Sequence, residues 1–174
     1  MTKKTEKDKV SSFVALDFET LEGYRASVCQ VGAVLYENGE IVDVFDSLVC
    51  PPTKNENWYC VQTHGLTYND VKDAPTFPEV WKKIDEMIGD RPIVAHNAPF
   101  ERSCINECAN EFGTKSDYEF IDTLKLSREK FKGKRKHTLD EMCNQYKIRL
   151  ARHHNALSDA IACGELYKKL TGLD

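Results

Sequence analysis

The stretch SFVALDFETLEGYRASVCQVGAVLYENGEIVDVFDSLV (12–49) decides the fold class. Its opening, SFVALD (12–17), is a short apolar run suited to a strand covered on both faces. Two further β-rich runs follow, SVCQVGAVLY (27–36) and EIVDVFDSLV (40–49), around Asn38-Gly39. Asn-Gly between alternating runs is a strong hairpin turn, so at least the last two strands are antiparallel. Asp17 and Glu19 stand two apart on the first strand, and their side chains therefore share a face. Two carboxylates on one face at the end of a buried strand are costly unless something binds them. A strand already running out into a solvated loop would explain the same pair without any ligand.

Beyond residue 49 the pattern changes from strands to alternation. Residues 50–75 are polar and turn-rich, with room for short helical pieces. Thr76 and Glu79 form a capping box for a helix whose apolar face is Val80, Ile84, Met87 and Ile88, and Gly89 ends it. PIVA (92–95) reads as a short buried strand, with Asn97 capping the next helix and Gly113 stopping it after Phe112. YEFI (118–121) suggests a last strand. Helices are then expected near 122–131, from Thr138 (a capping box with Glu141), and from Asn155 to about Leu170. Strands first and strand–helix alternation afterwards predict an α/β domain with a mixed sheet over residues 11–174, preceded by a flexible tail over 1–10.

Composition narrows the function classes. The 174 residues, 41% hydrophobic, fit one globular domain. No apolar run reaches the length of a membrane span, and the charged opening MTKKTEKDKV lacks the apolar core of a secretory signal. Seven cysteines in no recognisable framework point to reduced thiols in the cytoplasm. A net charge of −4 is unusual for a phosphate-binding protein. Basic residues are nonetheless concentrated at Lys125, Arg128, Lys130, Lys132, Lys134, Arg135 and Lys136, with Glu129 the single acid among them. That string reads equally as a solvated face or as a phosphate track.

Three short strings carry the chemistry: DFET (17–20), HNAPFE (96–101) and HNALSD (154–159). Singly, each has an ordinary explanation. Glu101 in a first helical turn is favoured by the helix dipole alone. Asp159 falls on the stripe of Ala156, Ala160, Cys163 and Tyr167, which reads as a buried side that obliges the acid to find a partner. Brought together, Asp17, Glu19, Glu101 and Asp159 would raise one another's pKa unless cations neutralised them. Oxygen donors favour a hard divalent ion, Mg²⁺ or Mn²⁺. A histidine beside them, His154, is placed to accept a proton near neutral pH.

In this order and spacing the strings resemble the three motifs of the DnaQ-like 3′→5′ exonucleases. The H-x-x-x-x-D form of the third marks the DEDDh branch, of proofreading-subunit and RNase T type. Weaker similarity at His64-Gly65-Leu66-Thr67, Ile121-Asp122-Thr123-Leu124 and Val28–Val34 extends it over roughly residues 12 to 170. The resemblance implies a ribonuclease H-like fold, a mixed five-stranded sheet flanked by helices. It implies two-metal phosphodiester hydrolysis at the single-stranded or frayed 3′ end of DNA or RNA, releasing nucleoside 5′-monophosphates. Asp17, Glu19 and Asp159 would ligate the catalytic metal, Asp17 bridging to a second, and His154 would be the general base. Phe18, Thr20, His64, Leu66, Asn97 and Phe100 would surround the terminal nucleotide.

Glu101 departs from the family, whose motif has aspartate there. A catalytically weakened nucleic-acid-binding module of the same fold is the alternative this substitution suggests. A zinc site on Cys104 and Cys108 lacks the paired short spacing of structural zinc. An endonuclease on the same acidic centre fits the third-motif histidine poorly. The resemblance admits a polymerase or a second copy as partner and calls for no membrane.

Overall fold

A computed structural model describes residues 10–173, so most of the expected tail lies outside the described residues. Strand β1 (Phe13–Thr20) is the axis of a five-stranded mixed sheet. It pairs antiparallel with β2 (Val28–Glu37), which pairs antiparallel with β3 (Glu40–Leu48). On its other side β1 pairs parallel with β4 (Ile93–Ala95), and β4 parallel with β5 (Phe120–Asp122). The sheet order is β3-β2-β1-β4-β5, the mixed five-stranded arrangement of the expected ribonuclease H-like fold.

β1 runs three residues past the expected end at Asp17, because its pairing with β2 continues through Phe18↔Val31, Glu19↔Gln30 and Thr20↔Val28. The register shifts between Glu19 and Thr20. Pleating then divides the strand between two cores. Val14, Leu16 and Phe18 face one core, packed by Phe77, Trp81, Ile84 and Ile88 of α3 (Phe77–Ile88) and Cys104, Ile105 and Cys108 of α4 (Pro99–Phe112). Phe13 and Ala15 face the other core, covered by α6 (Leu139–Tyr146) and α7 (Ala156–Thr171). Asp17 and Glu19 continue the parity of Phe13 and Ala15, so they point toward the α7 side. Cys104 and Cys108 are fully buried packing residues of the first core, as a small apolar side chain would be.

Gly32 sets how closely α7 approaches the sheet. A Cβ at Gly32 would lie 2.3 Å from the Ala156 carbonyl carbon and 2.3 Å from the Leu157 nitrogen. Only a residue without a side chain lets the start of α7 sit against β2 there.

Several local expectations hold. Both reciprocal bonds of the Thr76–Glu79 capping box are present, and α3 ends at Gly89. Short helices α1 (Trp58–His64) and α2 (Tyr68–Val71) occupy the turn-rich segment, and Asn155 caps α7 by accepting from the Ser158 N–H. Two capping expectations fail. Ala98, not Asn97, precedes α4; Asn97 is held at φ 71° while its N–H donates to Asp122 Oδ1 at 3.0 Å. Thr138 precedes α6, but no box forms with Glu141; the Thr138 hydroxyl is taken by Asp140 instead. The last strand lies at 120–122 rather than 118–121, set by its pairing of Phe120 with Ile93. Helix α5 (Thr123–Lys130) follows directly, capped by Asp122.

Candidate active site

The acidic strings converge at the carboxyl ends of β1 and β4, the edge of a parallel pair where ligands of α/β folds usually bind. One ligand oxygen from each of Asp17, Glu19 and Asp159 can be chosen so that all lie within 4.8 Å of one another. Asp17 and Glu19 come from the α7-facing side of β1, and Asp159 from the first turn of α7. Glu101 arrives from the first turn of α4, only 2% exposed, and its Oε2 is buried without a hydrogen-bond partner among the described residues.

Such crowding marks the acids electrostatically. Burial pushes Asp17 well above the usual carboxylate range, and the charges of Glu101, Glu19 and Asp159 push it further. Glu19 is raised from 4.5 to about 7, by burial and then by Asp159. Burial also raises Glu101, with Asp122 and Glu19 adding, while a backbone hydrogen bond and Arg25 pull the other way. Asp159 is raised by burial against the opposing contacts of His153 and His154. Buried oxygens that repel one another, one of them orphaned, form a donor set suited to a hard divalent cation. The residues present therefore fit the metal that the three strings imply.

His154 stands next to this cluster in a left-handed turn, φ 62°, and its N–H donates to Asp159 Oδ2 at 3.1 Å. Its ring stacks on His153, centroids 3.8 Å apart. Burial and the neighbouring His153 lower its pKa, which keeps the imidazole neutral and able to accept a proton. His153, which from the sequence alone could be an ordinary surface histidine, places Nδ1 3.2 Å from Asp159 Oδ2. Only the folded turn shows that both rings face the acid, since spacing alone marks His154.

The residues expected around a terminal nucleotide separate into two groups. Phe18 is a correction: its side chain is 3% exposed and packs between Phe77 and Trp81, because strand parity turns it away from the acids. Thr20 is buried at the strand end, where its carbonyl accepts from His64 Nε2 at 3.1 Å. That bond fixes the proton on Nε2, leaving Nδ1 to accept the Leu66 N–H. Leu66 packs beside Leu21, Cys29 and Val71. Asn97 is exposed at the head of α4, and Phe100 lies under the Arg25 guanidinium, 4.6 Å from its ring centroid. Arg25, in the loop after β1, carried no signal in the sequence.

The basic string also divides. Lys130 donates to the Lys169 and Leu170 carbonyls and so closes the end of α7, whereas Lys132, Arg135 and Lys136 are exposed. Among the described residues no helix is long and apolar enough to cross a membrane.

Comparison with known proteins agrees with this geometry. The RNase_T family model, described as "Exonuclease", matches residues 14–167. The PolC-type DNA polymerase III of Bacillus cereus is 36% identical over 162 residues, which are 91% of this chain and 11% of that polymerase. Its counterpart in Caldanaerobacter subterraneus is 33% identical over 172 residues, 98% of this chain and 12% of that one. The chain thus spans about a tenth of the length of these curated relatives. Among solved structures, exonuclease X in complex with 5′ overhanging duplex DNA superposes with a TM-score of 0.77 at 25% identity, covering 92% of this chain and 91% of that one. The nuclease domain of 3′hExo, a DEDDh family member bound to rAMP, shares the fold with a TM-score of 0.78 at 22% identity, covering 91% and 90%.

Proposed function

The chain belongs to the RNase_T exonuclease family and is a DEDDh-type 3′→5′ exonuclease, and from that premise we propose its substrate, cofactor and residue roles. The substrate is the single-stranded or frayed 3′ end of DNA or RNA, and the products are nucleoside 5′-monophosphates and a strand one residue shorter. The family implies a divalent metal. Asp17, Glu19, Asp159 and Glu101 would hold divalent ions, Mg²⁺ or Mn²⁺, two in number. Bound there, they supply Lewis acidity and neutralise charge on the phosphodiester.

The protein's own groups do the rest. His154, neutral and anchored through its backbone to Asp159, accepts the proton of the attacking water. The bond from that water oxygen to phosphorus forms as the bond from phosphorus to the 3′ oxygen breaks, and the departing 3′ oxygen takes up a proton from solvent to become the new 3′-hydroxyl. The His64 bond to Thr20 braces the strand end that carries Glu19. His153 positions Asp159 through its Nδ1 contact. The likeness to PolC-type polymerases suggests the editing of polymerase products as the setting. Seven free thiols suit the reducing cytoplasm.

The observation that supports this reading most is the meeting of Asp17, Glu19 and Asp159 oxygens from opposite ends of the chain. The deciding experiment is a time course on 5′-labelled single-stranded DNA and RNA with Mg²⁺, Mn²⁺ or chelator. A ladder shortened from the 3′ end, absent with chelator and absent in Asp17→Ala, is expected. Binding without cleavage in either ion would favour the weakened module instead. His154→Ala is expected to slow cleavage while leaving metal binding in place, and lost metal binding would contradict its assignment as base.

A further inference from the structure

Arg25 lies outside all three motif strings, yet it stands at the acidic site. Its guanidinium covers the face of Phe100, the residue immediately before Glu101, and makes no hydrogen bond or salt bridge among the described residues. The loop that carries it is braced on both sides. Tyr24 Oη donates to Glu111 Oε2 of α4 at 2.8 Å, and Ser27 returns its hydroxyl to the Tyr24 carbonyl at 2.6 Å. A cation stacked on an aromatic ring keeps its edge N–H groups free for a planar acceptor.

The position of that cation is specific. Its charge acts on Glu101, on Cys104 one turn further along α4, and on Cys60 of α1, which also senses Glu19. Arg25 therefore stands at the head of α4, on the ring that immediately precedes Glu101. A strand whose terminal phosphodiester lies on the converging acids must continue outward, and a free guanidinium fork matches the geometry of a phosphodiester.

We propose that Arg25, held flat on Phe100, clamps a phosphodiester of the substrate strand upstream of the bond that is cleaved. This rests on the exonuclease reading and adds to it a strand-binding group peculiar to the β1–β2 loop.

The test compares wild type, Arg25→Gln and Arg25→Lys. Two substrates are used with Mn²⁺: a single-stranded oligonucleotide and thymidine 5′-(p-nitrophenyl phosphate), which has no upstream phosphate. Oligonucleotide affinity is measured separately by fluorescence anisotropy with Ca²⁺. In Arg25→Gln, oligonucleotide affinity is expected to fall about tenfold, the equivalent of one charge-assisted hydrogen bond. The loss in kcat/KM is expected to be about tenfold larger on the oligonucleotide than on the ester, carried mainly by KM. The slope of log affinity against log salt should shrink by about 0.7, one phosphate contact on a single strand, and Arg25→Lys should restore that slope but only part of the affinity. Unchanged anisotropy, or equal losses on both substrates, overturns the clamp. Wild-type binding without cleavage of either substrate sinks the exonuclease roles while the anisotropy still judges the clamp. No binding by wild type overturns both.

Discussion

Glu101 is one methylene longer than the aspartate of its family, and its side chain is buried with one oxygen unpartnered among the described residues. Shortening it should relieve crowding without removing the charge. Glu101→Asp is expected to keep or raise turnover, measured as release of mononucleotides; abolished turnover would contradict a metal-supporting role. Glu19 makes a second prediction. Its folded pKa of about 7 exceeds the unfolded value, so folding favours its protonated form. The stability it contributes is complete below the unfolded pKa and is lost as pH rises through the folded one. Chelated protein should therefore melt at lower temperature at about pH 8 than at about pH 5.5 on account of this group, and Glu19→Gln should flatten the trend. A trend just as steep in the variant would mean another group sets it.

At the scale of elements, the decisive contact is α7 on β2 through Gly32. Gly32→Ala places a methyl against the backbone of Ala156 and Leu157, which cannot rotate aside. The start of α7 must shift, and Asp159 moves with it. A destabilisation of about 1–3 kcal/mol is expected in urea melts, together with weaker metal binding. Wild-type behaviour in both would show that the helix has slack there. The capping outcomes show which local signals survive folding. Thr76 and Glu79 form the box that their spacing implies. Thr138 meets Asp140 before Glu141, and Asn97 is bent by an acceptor on Asp122, contributed by another strand.

For the whole molecule, the repelling acids make cation binding a folding term. A divalent ion at about a hundred times its dissociation constant should stabilise the protein by about 2.7 kcal/mol, read as a rise in melting temperature with Mn²⁺ over chelator. Asp17→Asn should abolish nucleotide release and most of that rise, and it should melt higher than wild type in chelator because one repelling charge is gone. A variant less stable in chelator would show that Asp17 is held by contacts other than the cation.

Much of this was legible before folding. Strand parity put Asp17 and Glu19 on one face, the Asn-Gly turn joined β2 to β3, and the three strings carried the family resemblance, because each depends on residues close in sequence. What required the tertiary structure were the relations between distant segments: Asp159 meeting Asp17 and Glu19, Phe18 turned into the α3 and α4 core, His153 joining His154 at the acid, and Arg25 lying on Phe100. Local periodicity reports which way a side chain points along its own element, whereas its neighbours are chosen by how helices dock on the sheet.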